Sequence, residues 1–279
     1  MSFSVNTNIG AMAALQSLNA TNKGLATTQS RINTGMNVAS TKDDSASFTI
    51  AQTLRGEVGG LSAVKSSLNR AKSTVDVAVA GAEQVSDILN QMKTKALQAA
   101  DAGIDANSRA AIAKDFDALK EQITTIIDSS EFNGTNLLKS TATSGSVAAL
   151  QSTKVDPGAT TETLNVANQA LDTSVTAAIT TSISSQSDAE AMVGTLDGIA
   201  STLNTSLSDL GSSSRKIEGQ LSFTSKLSDV IESGIGNLVD ADLAKESARL
   251  QALQVKQQLG VQALSIANQA PQSIMSLFR

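Results

Sequence analysis

The chain has 279 residues, of which 41% are hydrophobic and only 2% aromatic, and a formal net charge of −5. It contains no His, Cys, Trp or Tyr, which excludes Ser-His-Asp triads, cysteine nucleophiles and His/Cys zinc sites. The acidic balance and the lack of a Lys/Arg cluster argue against a nucleic-acid partner. Since no apolar run approaches ~18 residues, we expect no membrane insertion, and the N-terminus lacks the features of a cleavable signal.

The first predicted helix has apolar residues three, four or seven positions apart, broken by polar positions at Asn22 and Gln29. Such an interrupted apolar seam is too weak to stabilise a helix alone. We therefore expect this helix to be ordered by pairing with another helix of the chain or of a neighbouring subunit. The seam residues are Leu15, Leu18, Leu25 and Ile32.

A long second helix of about 55 residues is predicted from Ser45 to Ala99, because apolar residues recur there with a period of 3.5 residues. Gly59, Gly60 and Gly81 interrupt it and indicate close approach of another element or bending. Its predicted core positions include Leu61, Val64, Leu68, Val75, Val85, Leu89 and Met92.

A third helix follows Gly103, with Asn107 or Ser108 as its cap, and the break at 101–107 predicts the loop of a helical hairpin. The same spacing continues through Phe116, Leu119 and Ile123, and the segment ends near the turn dipeptide Asn133-Gly134.

Residues 139–186 are rich in Ser, Thr, Ala and Gly, and contain the only pattern that predicts a sheet. Alternation around 147–155 and 161–166, with a turn at Pro157-Gly158, predicts a small β-hairpin. Its many Ser and Thr residues either form a polar surface or carry O-linked sugar, and the sequence does not distinguish these two interpretations.

The 3.5-residue period returns in a long helix that ends near residue 238, and a last helical segment follows from Asp240 to Asn268. Together these patterns predict a mainly α protein, a long coiled-coil-like helical bundle with one small β-hairpin region. The core positions of the late seam include Leu203, Leu210, Ile217 and Leu221, and the seam of the last segment contains Leu243, Leu250, Leu253, Leu259 and Leu264.

Three close carboxylate pairs begin at Asp43, Asp115 and Asp240. A catalytic or metal role requires further ligands that converge from other elements, and heptad helices usually place such pairs in water or at caps. No set of pocket-forming aromatic residues accompanies them. The alternative function that these pairs suggest is an enzyme that hydrolyses a polymer. We expect instead that the chain has no catalytic residue, cofactor or metal.

Five stretches of the sequence resemble bacterial flagellin, in order and at both ends. They are Val5-Asn6-Thr7-Asn8-Ile9-Gly10-Ala11, Ser30-Arg31-Ile32-Asn33-Thr34-Gly35 followed by Ser40-Thr41-Lys42-Asp43-Asp44-Ser45-Ala46, Phe132-Asn133-Gly134-Thr135-Asn136-Leu137-Leu138, Asp240-Ala241-Asp242-Leu243-Ala244-Lys245-Glu246, and Ala267-Asn268-Gln269-Ala270-Pro271-Gln272-Ser273-Ile274-Met275-Ser276-Leu277. The resemblance covers nearly the whole chain, in a short form without large outer domains.

The resemblance implies a structural subunit that polymerises into the extracellular flagellar filament used for swimming. It implies N- and C-terminal helices (1–40 with 239–279) paired as an inner domain, and an outer domain made of 41–186, including the hairpin region, and 187–238. By the same resemblance the chain is secreted unfolded through the flagellar type III route. Its partners would be further copies of itself, the export machinery, a secretion chaperone, the filament cap and the hook–filament junction proteins.

One stretch departs from the family pattern. Flagellins that the animal innate receptor senses carry Arg-x-Arg-Glu-Leu where this chain has Gln91-Met92-Lys93-Thr94-Lys95. Lys lacks the planar donor fork of Arg. The resemblance thus implies weak or absent activation of that receptor.

An accessory subunit at the hook–filament junction is the other family role, because such relatives share the terminal helices. The flagellin-like motifs in the middle of the chain argue against it, and growth of long fibres separates the two roles. The sequence does not fix the helical parameters or the supercoil state of a filament.

Overall fold

A computed structural model describes residues 7–140, 146–153, 162–180 and 182–276, without the side chains of 270–276. Helices dominate the described residues, as the sequence predicts. In chain order the elements are α1 (Ile9–Thr34), α2 (Ser45–Ala99), α3 (Ala106–Ser129), β1 (Glu131–Phe132), β2 (Thr135–Asn136), β3 (Ser146–Leu150), β4 (Thr163–Ala167), a π-helical turn (Asp172–Thr176), α4 (Gln186–Val239) and α5 (Leu243–Ser276).

Short polar side chains fix the starts of the helices. The carboxylate of Asp44 accepts hydrogen bonds from the backbone N–H groups at the start of α2, and that of Asp242 does so for α5. At α3 the cap is Asp105, which accepts from the N–H groups of Asn107 and Ser108. The prediction that Asn107 or Ser108 caps this helix is therefore wrong, because these residues already lie within its first turn.

The chain divides into two compact units, one made of residues 1–56 with 230–279 and the other of residues 57–229. The unit of residues 57–229 has a continuous apolar core, to which α2, α3, the segment after β2, the β3–β4 hairpin, the π-helical turn and α4 contribute. Phe116 and Leu68 are among its largest fully buried side chains. The ion pair between Lys72 and Glu218 links α2 to α4 on the surface of this unit.

The strands form two antiparallel hairpins. In the larger one β3 pairs with β4, with Val147 opposite Val166 and Ala149 opposite Leu164. This confirms the predicted β-hairpin, whose predicted turn at Pro157-Gly158 lies outside the described residues.

The smaller hairpin joins β1 to β2 through Asn133 and Gly134, whose φ angles of 51° and 81° are typical of a tight hairpin turn. The prediction that 139–186 holds the only sheet is thus wrong. Two-residue strands are too short to show an alternation of apolar and polar residues. The turn dipeptide Asn133-Gly134 is the sequence feature that indicates this hairpin.

Two of the three glycines singled out in α2 lie where another element approaches closely. A methyl group at Gly60 would lie 2.8 Å from Thr153 Cγ2, and one at Gly81 would lie 2.9 Å from Leu138 Cδ1. At Gly59 such a group would meet nothing within 4 Å, so packing among the described residues does not require that glycine.

Candidate assembly surface

The unit of residues 1–56 with 230–279 is built on an antiparallel pair of α1 and α5. The Asn8 amide donates to the carbonyl oxygen of Ala267 at 2.7 Å, and the Gln257 amide donates to Asn22 Oδ1 at 2.8 Å. Near the second of these hydrogen bonds the helices approach each other at two glycines. A methyl group at Gly260 would lie 3.3 Å from Leu18 Cδ1, and one at Gly24 would lie 3.6 Å from Leu253.

A backbone bridge and an ion pair lie at the other end of this helix pair. The N–H of Asn37 donates to the Val239 carbonyl at 2.7 Å, and the N–H of Ala241 donates to the Gly35 carbonyl at 2.9 Å. Slightly further along, Arg31 Nη1 lies 3.3 Å from Glu246 Oε1. The bridge and the ion pair hold the two helices side by side where they join the rest of the chain.

The predicted seam residues of α1 and α5 fall into two groups. Leu18, Leu25, Ile32, Leu250, Leu253 and Leu264 are half-buried, whereas Leu15, Leu243 and Leu259 are exposed. The fully buried residues of α1 are Thr21 and Thr28, which the apolar pattern missed. Their burial could have been predicted from their positions, because both continue the three-and-four spacing of Leu18 and Leu25.

Among the described residues, eight apolar side chains of the terminal helices are left uncovered by the helix pair, and the exposed seam residues Leu15, Leu243 and Leu259 are three of them. Ile9 is 76% exposed, Leu259 58% and Ile266 70%. A helix end or face this apolar is unusual on a soluble monomer and is typical of an interaction site. The exposed set consists of Ile9, Met12 and Leu15 on α1 and Leu243, Val255, Leu259, Val261 and Ile266 on α5.

The predicted core positions of the longer helices lie mostly inside the unit of residues 57–229. Leu119 and Leu221 are half-buried and pack against its core. Leu61, Val64, Leu68, Val75, Val85, Leu89, Met92, Phe116, Ile123, Leu203, Leu210 and Ile217 are buried.

The stretch from Gln91 to Lys95 lies on α2 and is bound to its neighbours. Lys93 Nζ lies 2.5 Å from Asp197 Oδ1 of α4, and Lys95 Nζ lies 2.7 Å from Asp115 Oδ2 of α3. Met92 is fully buried, while Gln91 and Thr94 are exposed. Both cations of this stretch are thus engaged within the molecule.

The candidate carboxylate pairs do not converge. Asp43 Oδ2 accepts from the hydroxyl and N–H of Ser40 and from the N–H of Ala39, and these hydrogen bonds, first that of the Ser40 hydroxyl, lower the pKa of Asp43. Hydrogen bonds from Ser47 and Ala46 likewise lower the pKa of Asp44. Among the described residues no group of three or more acidic side chains is placed to hold a metal ion.

Within the described ranges, no helix combines the length and the apolar character needed to cross a bilayer. The family model for the bacterial flagellin N-terminal helical region matches residues 5–143, and that for the C-terminal helical region matches residues 193–278. The chain belongs to the bacterial flagellin family.

Full-length relatives agree with these matches. The flagellin FljM of Caulobacter vibrioides is 45% identical over 279 residues, which cover 99% of this chain and 98% of the relative. The crystal structure of a Bacillus cereus flagellin superposes with a TM-score of 0.50 at 23% identity, covering 56% of this chain and 86% of that one. A putative flagellar hook-associated protein of Vibrio parahaemolyticus gives 0.54 at 15% identity, covering 71% and 100%.

This flagellin is a structural subunit of the bacterial flagellar filament, which forms by self-association outside the cell, and it is not an enzyme. Its length agrees with a short form without a large outer domain. The two solved structures share less than 25% sequence identity with this chain, so they support the fold alone.

Proposed function

We propose that this flagellin assembles through two different faces of its terminal helices. One face pairs α1 with α5 within the chain, and the other contacts the terminal helices of neighbouring copies. The observation that supports this division is the exposure of Ile9, Met12 and Leu15 on α1 and of Leu259, Val261 and Ile266 on α5.

Apolar residues lie on several sides of α5. Leu253 lies beside Gly24 of α1 and Leu264 is half-buried, while Val255, Leu259 and Ile266 are exposed. A helix with exposed apolar residues on more than one side has more than one face that association can cover. Neighbouring copies would cover the remaining sides of α5, and such heterologous contacts, if they do not close into a ring, build an open filament.

The layers of the filament follow from the same proposal. The terminal segments (1–40 with 239–279) form its inner layer, and 41–186 with 187–238 form the surrounding one. The β3–β4 hairpin region would lie outermost, since no further domain is inserted there. The filament would be thin and smooth, and Ser and Thr residues of 139–186 are the candidates for O-linked sugar.

Secretion and partner binding belong to the proposal as well. The chain would leave the cell unfolded through the flagellar type III route, with a secretion chaperone before export and the filament cap and hook–filament junction proteins at assembly. The terminal helices bury little apolar surface within one copy. Coupling their folding to polymerisation would keep the exported chain free of premature contacts.

We also propose weak or absent activation of the animal innate receptor. Lys93 and Lys95 stand where sensed flagellins carry Arg and Leu, and each already forms an ion pair with an aspartate of this chain. A receptor that pairs with these positions would have to break those ion pairs and would meet Lys in place of the planar fork of Arg.

The test of assembly is Leu259→Asp compared with Gln258→Asp. Both residues are exposed on α5, so neither substitution disturbs the core of the free subunit. Burying a charge between copies costs several kcal/mol, so electron microscopy of protein reassembled on filament seeds is expected to show no filaments for Leu259→Asp. Gln258→Asp is the charge-matched control and is expected to polymerise.

A Leu18→Asp variant adds a second arm, because Leu18 lies at the α1–α5 contact. It is expected to abolish filaments while the unit of residues 57–229 unfolds at its usual temperature. Normal filaments from both Leu259→Asp and Leu18→Asp would contradict the proposal.

A further inference from the structure

The ion pair between Arg31 and Glu246 stands apart from the other ion pairs of the described residues. Glu246 is only 7% exposed and also lies 3.9 Å from the exposed Arg249 of its own helix, whereas the ion pairs that do not involve Glu246 lie at the surface. Arg31 Nε and Glu246 Oε2 are both buried and have no hydrogen-bond partner among the described residues. A buried pair that leaves two polar atoms unmet is poor evidence of a stabilising role, and such pairs are best known for fixing register.

The apolar contacts between α1 and α5 specify their register weakly. The two fully buried residues of α1 are Thr21 and Thr28, and close approach occurs at Gly24 and Gly260. Small residues repeat along both helices, so a slip of seven positions would again place small and apolar residues face to face.

The charged residues restrict the register of α1 and α5 far more than the apolar contacts do. Glu246 is the only acidic residue of α5, and α1 holds two cations, of which Lys23 is exposed. A slip of seven residues would place Glu246 opposite Gly24 in one direction and beyond the end of α1 in the other. No residue of 24–38 except Arg31 is a cation, so in every other register within seven positions the buried carboxylate keeps only Arg249 of its own helix, whose exposed side chain reaches it at 3.9 Å.

We propose that the Arg31–Glu246 pair selects the antiparallel register of α1 and α5. The register decides which side chains remain outside the helix pair. A slip of three or four residues would turn parts of the exposed set (Ile9, Met12 and Leu15 with Leu259, Val261 and Ile266) toward the partner helix. The consequence for assembly rests on the proposed function, whereas the register itself is a property of one chain.

The backbone bridge at the end of α1 is the rival determinant of register. It consists of hydrogen bonds between residues 35–38 and 239–241, next to Gly35, whose φ is +70°. Replacing Gly35 by Ala strains this bridge without touching the ion pair, because L-residues disfavour that conformation. Glu246→Gln has the opposite effect, since it removes the charge at almost constant shape and leaves the bridge intact.

Disulfide trapping distinguishes the two, because the chain has no cysteine. Cysteines at Asn22 and Gln257 report the observed register, in which these residues are hydrogen-bonded. Cysteines at Asn22 and Leu250, or at Asn22 and Leu264, report slips of seven residues. Intrachain disulfides are measured by mass spectrometry after mild oxidation, both in the soluble protein and in filaments grown on seeds.

Only the 22–257 disulfide is expected when Arg31 and Glu246 are retained. Glu246→Gln should raise the yield of the slipped disulfides by roughly tenfold, since a slip then no longer separates a buried charge from Arg31. The charge-reversed variant, Arg31→Glu with Glu246→Arg, should return the slipped yield to its original level. Gly35→Ala should change it little.

Several results would overturn the proposal. These are an unchanged slipped yield in Glu246→Gln, no recovery in the charge-reversed variant, or a rise in Gly35→Ala alone. Absence of the 22–257 disulfide in both soluble protein and filaments would also overturn it. If the unmodified chain forms no filaments, the proposed function fails, while the disulfides in the soluble protein still report the register.

Discussion

Gly81 lies on α2 where the helix meets the segment that follows α3. A methyl group at this position would collide with Ser130 Oγ and would lie 2.9 Å from Leu138 Cδ1, and both neighbours are buried. Ser130 is held in place because its hydroxyl donates to the Ile126 carbonyl at 2.7 Å. The glycine therefore permits a contact that no other residue type allows.

We predict that Gly81→Ala destabilises the unit of residues 57–229. The gain in helix propensity, at most ~1 kcal/mol, opposes an overpacking cost of about 1–3 kcal/mol, so a net loss of about 1–2 kcal/mol is expected. Urea unfolding followed by circular dichroism measures it. Gly219→Ala is the matched control on α4, because a methyl group there meets nothing within 4 Å, and it should raise stability by up to ~1 kcal/mol. Losses of equal size in both variants would contradict this account.

At the scale of elements, aspartates cap the starts of several helices, and their negative charge stabilises those helix ends. Asp105 accepts hydrogen bonds from the N–H and hydroxyl of Ser108 and from the N–H of Asn107, and these lower its pKa. A carboxylate whose pKa is lower in the folded than in the unfolded chain stabilises the fold at pH values above its unfolded pKa. That contribution is lost as the pH falls through the folded pKa.

We predict that Asp105→Asn makes stability less dependent on pH. Asn caps a helix about as well as Asp but does not titrate, and it lacks the attraction of the carboxylate for the helix N-terminus. Thermal unfolding measured from about pH 7 to about pH 2 should show wild type more stable at the upper end and the two proteins approaching each other at the lower end, as the carboxylate of Asp105 takes up its proton. Curves that remain parallel over this range would show that the charge of Asp105 contributes nothing.

The elements also show how far the sequence could be interpreted. The 55-residue length of α2 was predictable because its apolar residues keep one period from Leu61 to Ala99 and Asp44 supplies a cap just before Ser45. The β1–β2 hairpin was not, since two residues per strand leave no alternation to detect. Thr21 and Thr28 were missed for a different reason, because a close helix pair buries small residues whose hydrophobicity carries no signal.

The division of the terminal helices into inner and outer faces was also beyond the sequence. Leu15 and Leu18 are three positions apart and equally apolar, yet the first is exposed and the second lies at the α1–α5 contact. Only the position of α5 separates them, and that position depends on contacts between residues more than 200 positions apart. The Arg31–Glu246 pair is such a contact.

At the scale of the whole molecule, charge is segregated along the chain. All 26 acidic residues lie between Asp43 and Glu246, and residues 1–42 and 247–279 contain none. Those two segments hold six cations, a net charge of +6, against 15 cations and 26 acids, a net charge of −11, in between. The exposed Lys23 and Lys256 have no acidic residue on the helices α1 and α5 of any copy to pair with, apart from the buried Glu246.

If terminal helices of neighbouring copies pack together, these like charges must approach one another, and their repulsion opposes assembly. Salt screens exposed charges over a Debye length of about 8 Å at ~0.15 M, so we predict that the critical concentration for filament growth falls as the salt concentration rises. Replacing Lys23 and Lys256 by Gln should lower the critical concentration at low salt and flatten this dependence. Lys114→Gln, an exposed lysine of the acidic middle segment, is the control and should leave the dependence unchanged. Seeded growth followed by light scattering at a series of sodium chloride concentrations measures all three proteins. Equal salt dependence in all of them would mean that the terminal lysines face acidic groups of neighbouring copies, or water, rather than one another.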